Sequence, residues 1–197
     1  MIDEDIESAY VELCSEIEAL KRRSYMWFVN GEFAVPVETY SYGGVVQFAE
    51  KDEIVSNRES CLDICNIRAV SLEGQLSRLF FLPDRILFIS KGVVRSESIH
   101  TLRAHEEDVV VKTTQTVQQS AQVVGQTWEY VNNVGAKNES IRFNKEVLLC
   151  RYQKLTLSSD RGMLGRILSS QSIAEGSIFF PLRRYTQMFS MVRNISN

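Results

Sequence analysis

Two short runs, LFFL (Leu79–Leu82) and ILFI (Ile86–Ile89), constrain this chain more than any other feature. Successive side chains of a strand point to opposite faces, and here apolar residues fill both parities. Strands of that kind need cover on both faces. Pro83-Asp84 between the runs and Lys91-Gly92 after them are turn chemistry. The runs are therefore predicted to be the centre of a sheet with material packed on either side.

Strand patterns continue in both directions. YMWFV (Tyr25–Val29) leads into Asn30-Gly31, a hairpin signal, then EFAVPVETY (Glu32–Tyr40), Gly43-Gly44 and VVQFA (Val45–Ala49). The polar stretch 50–60 reads as a surface loop, and the Thr/Gln/Ser-rich stretch 113–122 as an exposed excursion or short helix. DVVVKT, TWEYVN, SIRFN, LCRYQKLTLSS and MLGRILSS complete the strands, with Asp160-Arg161-Gly162 turning the last pair. Ahead of all of them, Ile6, Ala9, Tyr10, Leu13, Cys14, Ile17 and Leu20 follow the spacing of an amphipathic helix. Acids crowd its first turns and Lys21, Arg22 and Arg23 close it, which suits the helix dipole. At the other end, Ser172 with Glu175 forms a candidate capping box, and Pro181 opens a stripe of Leu182, Tyr185, Phe189 and Val192.

The predicted class is α+β: an antiparallel, strongly curved sheet or partly open barrel between an N-terminal amphipathic helix and C-terminal helices. The acidic helix (1–24) packs on a single sheet-rich domain (25–197). Asp3, Glu4, Asp5 and Glu7 stand where an export signal needs positive charge, and every apolar run is broken by charge, so a cytoplasmic protein with no membrane contact is expected. In that compartment Cys14, Cys61, Cys65 and Cys150 are expected as reduced, buried thiols. Cys61 and Cys65 form a C-x3-C pair, but with only His100 and His105 elsewhere they lack the second ligand pair of a structural zinc site. With the chain at −3 overall and the first twenty residues at −7, the remainder carries +4. That is no basic footprint, and nucleic acid is not expected as a direct ligand.

The stretches FFLPDRILFI and VVGQTWEYVN resemble an uncharacterised bacterial domain family carrying F-x-P-D-R-x-L, V-V-x-x-T-W-x-Y-V-N, R-F-x-N and Y-x-x-L-x-L-x-S-x-x-G-L. The matching residues are Phe81, Pro83, Asp84, Arg85 and Leu87, then Val123 to Asn132, then Arg142, Phe143 and Asn144, then Tyr152, Leu155, Leu157, Ser159 and Gly162. The likeness spans about Tyr10 to Ser170. It departs at Asn133–Asn138 (NVGAKN, where the family runs K-K-G-G-P-D) and at Leu148 or Leu149, where the family has proline. The resemblance implies no established reaction. It implies a strand order similar to bacterial pleckstrin-homology-like domains, a likeness of fold that assigns no function.

Candidate sites follow from these motifs. Trp128, Tyr130 and Asn132 alternate and, in a strand, share one face. Either the aromatics fill core and Asn132 caps a turn, or the face stacks an apolar or planar ligand that Asn132 orients. Arg142 and Asn144 also share a face and are candidates to join Asp84 and Arg85 in a polar cluster, with Asp84 pairing Arg142 or Arg85. Two small basic patches, 21–23 and 182–184, would make a nucleic-acid surface only by converging with Arg151 and Lys154. His100 and His105 lie in a polar segment without a patterned partner, and phosphate-loop and dinucleotide glycine patterns are absent.

The expected function is a non-enzymatic protein-binding module of bacterial or phage origin, without cofactor or metal and with a homo-oligomer as an open possibility. One alternative is a phage or mobile-element inhibitor of a host nucleic-acid machine, using the acidic face of Asp3, Glu4, Asp5 and Glu7 in place of phosphates. Another is an enzyme with an unrecognised site near Trp128 and Arg142.

Overall fold

The computed structural model describes residues 4–37, 44–55, 69–113, 121–170 and 180–195. Its elements run α1 (Glu4–Arg23), β1 (Met26–Val35), β2 (Val45–Glu53), β3 (Val70–Glu73), β4 (Ser77–Phe81), β5 (Arg85–Ser90) and β6 (Val93–Ser98). A short 3-10 turn (Ile99–Thr101), β7 (Arg103–Thr113), β8 (Gln122–Trp128), β9 (Glu146–Ser159), β10 (Gly162–Ser169) and α2 (Phe180–Ile195) follow. The class is α+β, as predicted, and no helix among the described residues is long and apolar enough to cross a membrane.

The long strand β9 organises the larger sheet. One of its edges pairs along β7; the other is shared, Glu146–Arg151 with β8 and Gln153–Ser159 with β10. β10 pairs with β1, β1 with β2, and β2 returns to β7, so these strands close into a ring with β8 alongside. The closing seam is narrow: Val45 and Val46 against Val110 and Val111. It is also parallel, which corrects the expectation of a wholly antiparallel sheet. Parallel neighbours need a long crossover, and here the chain builds the entire second sheet between β2 and β7.

That second sheet is an antiparallel meander, β3-β4-β5-β6. LFFL and ILFI lie in its two central strands, as their patterning requires. Phe80 and Phe81 point to opposite faces, and both are fully buried.

Two large apolar cores result among the described residues, with a smaller third cluster of Val45, Val110 and Leu149. Inside the ring, Trp27, Val29, Phe48, Val109, Val111, Cys150, Tyr152 and Leu168 meet from all its strands. The second core lies between the ring's outer surface, the small sheet and the helices. α1 supplies Ile6, Tyr10, Leu13 and Ile17, α2 supplies Leu182 and Tyr185, and the strands supply residues such as Phe28, Phe81, Ile86, Leu155 and Ile167. α1 thus buries the stripe its spacing predicts, with Glu4, Asp5 and Glu7 in its first turn. Tyr10 and Tyr185, with rings 5.7 Å apart, donate their hydroxyls to the carbonyls of Phe81 (2.8 Å) and Pro83 (2.5 Å). Both helices therefore hold the β4–β5 turn from the same side.

Two sequence readings change. Asn30-Gly31 is not a hairpin turn, because β1 runs through it to Val35. Gly31 adopts φ +63 within the strand, where a Cβ would lie 2.7 Å from that of Ala49. The left-handed angle that glycine permits is taken up within the ladder, whose register with β2 continues from Asn30–Glu50 to Glu32–Phe48. β2 likewise extends to Glu53, into the predicted loop. The reason is tertiary: the Asp52 carboxylate accepts the backbone N–H groups of Gln75 (2.7 Å), Leu76 (2.9 Å) and Ser77 (2.7 Å), which ties β2 to the β3–β4 turn. The candidate capping box at Ser172 and Glu175, together with Cys61 and Cys65, lies outside the described residues. Cys14 and Cys150 are buried thiols outside any disulfide.

The ring interior is not wholly apolar. The Lys154 ammonium contacts Glu32 (2.7 and 2.8 Å) and Glu107 (3.0 Å), and Arg166 approaches Glu32 at 3.9 Å. Lys154 is therefore unable to join a surface nucleic-acid patch. Of the other patch residues, Arg184 is paired with Glu12 (2.9 Å) and Lys21 with Glu18 (3.0 Å).

Tyr152 packs edge-on to Trp27, with centroids 5.8 Å apart. Burial, reinforced by Cys150 beside it, raises its phenol from the ordinary 10.0 to about 12. The unfolded chain then ionises Tyr152 near pH 10 while the folded chain resists until about 12. Stability should accordingly fall by roughly 2 kcal/mol as the pH rises through that window. Tyr152→Phe should flatten the decline, which urea melts at pH 9 through 12 would measure; an unchanged slope would exclude Tyr152 as its source.

Candidate functional site

The connection from β8 to β9, Glu129–Lys145, is longer than the roughly 12–15 residues that ordinary unstructured loops reach. It is held by its own polar groups. Asn144 grips Tyr130 twice: its Oδ1 accepts from the Tyr130 N–H (3.0 Å) and its Nδ2 donates to the Tyr130 carbonyl (2.6 Å). The Asn138 N–H donates to that same carbonyl (3.1 Å). Asn132 Oδ1 accepts from the N–H groups of Val134 and Ala136, both at 3.0 Å, and Asn138 Oδ1 from that of Ser140 (3.1 Å). Short amide side chains replace backbone partners in this way wherever a chain turns without a ladder. Gly135, with φ +88, completes the turn at Val134.

The loop is also fastened to the ring. Lys112 of β7 is buried and donates to the Glu129 carbonyl at 2.6 Å. Burial lowers its ammonium pKa, and the Glu129 carboxylate opposes that shift. Lys137 lies over the Trp128 ring, 4.7 Å from its centroid. Removing the buried donor with Lys112→Met should speed amide exchange across 130–144 about tenfold, while global stability changes by at most about 1 kcal/mol. Unaltered exchange would mean that the asparagines alone order the loop.

A loop so well bonded inward turns large apolar side chains outward. Tyr130 is 49%, Val134 69% and Phe143 84% exposed, and the Arg142 guanidinium sits 5.7 Å from the Phe143 ring centre. The surface continues onto β8, whose outer edge is unpaired among the described residues. Edge strands are commonly protected by lysine, proline or a bulge. QVVGQTW has neither charge nor proline, only a bulge between Val123 and Gly125.

The sequence-predicted residues separate accordingly. Trp128, Tyr130 and Asn132 do not share a strand face, because β8 ends at Trp128. Trp128 is half-buried beneath Lys137, Tyr130 faces solvent, and Asn132 is engaged in its turn. SIRFN forms turns rather than a strand, so Asn144 works inward while Arg142 stays exposed. Asp84 and Arg85 pair with each other (2.6 and 2.9 Å) at the β4–β5 turn of the small sheet, whereas Arg142 and Asn144 lie in the β8–β9 connection of the larger one. Glu4, Asp5 and Glu7 are exposed on α1, and Asp3 lies outside the described residues. Sequence reasoning missed Val134, Lys137, Phe143 and Lys112. The one available signal was an apolar residue isolated in a polar run, as Val134 is in NVGAKN. No family model, curated protein or solved structure matches the chain.

Proposed function

We propose that the protein is a non-enzymatic binding module that engages a protein partner through the Glu129–Lys145 loop and the adjoining edge of β8. The observation that carries this reading is the exposure of Tyr130, Val134 and Phe143 on a loop whose backbone is already fixed. Aromatic residues and arginine dominate binding energies when a partner desolvates them, and a preformed loop avoids the entropy cost of ordering. The motif resemblance supports it, since W-x-Y-V-N and R-F-x-N supply both the anchors (Trp128, Asn132, Asn144) and the presented residues (Tyr130, Phe143). On this reading the fold is a pleckstrin-homology-like variant, in a cytoplasmic protein of bacterial or phage origin.

The test is affinity capture from the native host, with wild type beside a Tyr130→Ser/Phe143→Ser variant. Both side chains are exposed, so stability should change by no more than about 0.5 kcal/mol each. A stoichiometric partner recovered by wild type and reduced at least about tenfold in the variant is the expected result. Equal recovery by both proteins, or no partner with either, would refute the assignment.

A second reading draws on α1, where Glu4, Asp5 and Glu7 are exposed and have no ion pair among the described residues. An inhibitor of a nucleic-acid machine would present such a face in place of phosphates. Loss of the captured partner on neutralising Asp3, Glu4, Asp5 and Glu7, with the loop intact, would favour that reading; retention would dismiss it.

A further inference from the structure

At the far end of β9 from the loop, β6 faces the tip of the β9–β10 hairpin across a groove of about 360 Å³. β6 contributes Val94, Arg95 and Glu97, and the hairpin contributes Ser159, Arg161 and Met163. Glu97 is the unexpected member. It is only 8% exposed, yet it has no hydrogen bond or ion pair among the described residues. Its carboxylate oxygens are not sealed from solvent, so they meet the water of the groove without a protein partner among the described residues and are open to a cation entering there.

Arg95 is the nearest internal candidate, two residues away on the same side of β6. Its guanidinium is directed elsewhere, donating across the groove to the Met163 carbonyl at 2.9 Å. That bond leaves most of its donors unused. Arg161 is exposed at the hairpin tip; its backbone N–H bonds Ser159 Oγ (3.1 Å), and its side chain has no ion pair among the described residues. The groove therefore places an unneutralised carboxylate on one wall and two guanidiniums with spare donors nearby. A ligand that satisfies both must carry a positive and a negative group within a few ångströms.

We propose that this groove binds a small zwitterion of the α-amino-acid class. The ligand ammonium pairs with Glu97, its carboxylate with Arg161 and the free donors of Arg95, and its side chain lies toward Met163. Guanidinium is suited to this role because it meets a carboxylate bidentately. The volume falls within the range of ordinary small-ligand sites, about 300–1,000 Å³. The site is independent of the protein-binding loop, because β9 from Glu146 to Ser159 separates them by on the order of 40 Å of strand.

The experiment is calorimetric titration of the full chain with L-alanine, L-leucine and L-glutamate separately, and with ethylamine and acetate as ligands of one charge. At least one amino acid should bind with Kd below about 1 mM, and both single-charge ligands should bind at least about tenfold more weakly. Glu97→Gln and Arg161→Ala should each weaken binding by about tenfold or more. Glu97→Gln preserves shape and breaks no hydrogen bond or ion pair among the described residues, so it is expected to fold, and a thermal melt checks that it does. The proposal is overturned if no amino acid binds at about 10 mM, if acetate or ethylamine binds equally well, or if Glu97→Gln leaves affinity unchanged. None of these outcomes bears on partner capture by the loop.

Discussion

Lys154→Met should lower unfolding stability by about 3 kcal/mol, one of the two largest single-site effects expected in this chain. The side chain is 6% exposed, and its ammonium is bound by both oxygens of Glu32 and one of Glu107. Methionine fills the same space but leaves those carboxylates facing one another within the ring. The cost of breaking a buried pair is mainly that of the charge left behind, about 3–5 kcal/mol. The lower end applies because Glu107 is 45% exposed and recovers water, and because Arg166 remains near Glu32. Adding Glu32→Gln should therefore restore a substantial part of the loss. Urea unfolding of the single and double variants measures this, and a double variant no more stable than Lys154→Met would show that packing, not charge, is the cause.

Asp52→Ala should cost roughly 3 kcal/mol by a different route. One carboxylate accepts three backbone N–H groups of the β3–β4 turn, and bonds to a charged acceptor are individually worth about 1.5–3 kcal/mol. The sum is discounted because Gln75 and Leu76 are exposed and find water once the carboxylate is gone. What water cannot replace is the link between the two sheets, which a Lys91–Glu50 ion pair (2.7 Å) supports from the β5–β6 turn.

Gly74 gives a direct check of that geometry. A Cβ there would lie 2.5–2.7 Å from the Asp52 carboxylate atoms. Gly74→Ala should be destabilising in the wild type and nearly neutral in the Asp52→Ala background, where the space is empty. A double-mutant cycle should give a coupling of at least about 1 kcal/mol. Additive effects would contradict the close approach.

Much of this architecture was legible from local pattern. α1 could be read because its apolar spacing and its charge gradient both refer to one helix, and no distant residue is needed to interpret them. LFFL and ILFI announced central strands since both faces of each strand appear in a few consecutive residues. The turn at Asp160-Arg161-Gly162 was equally local, with Gly162 taking φ +112.

What only the tertiary structure decided depends on partners far along the chain. The left-handed angle of Gly31 serves a hairpin turn or a strand interior equally well, and pairing with β2 on both sides of it carries the strand through. The parallel seam between β2 and β7 leaves no mark in either strand, because hydrogen bonding there involves only backbone. Lys154 read as a surface base until Glu32, 122 residues away, enclosed it. For the candidate site the deciding event is the end of β8. Alternation treats Trp128, Tyr130 and Asn132 alike, but pairing with β9 stops at Trp128. Beyond that point Asn144 and Asn132 govern direction: Trp128 stays half-buried and Tyr130 turns to solvent, because a side-chain hydrogen bond rather than a strand ladder sets the backbone.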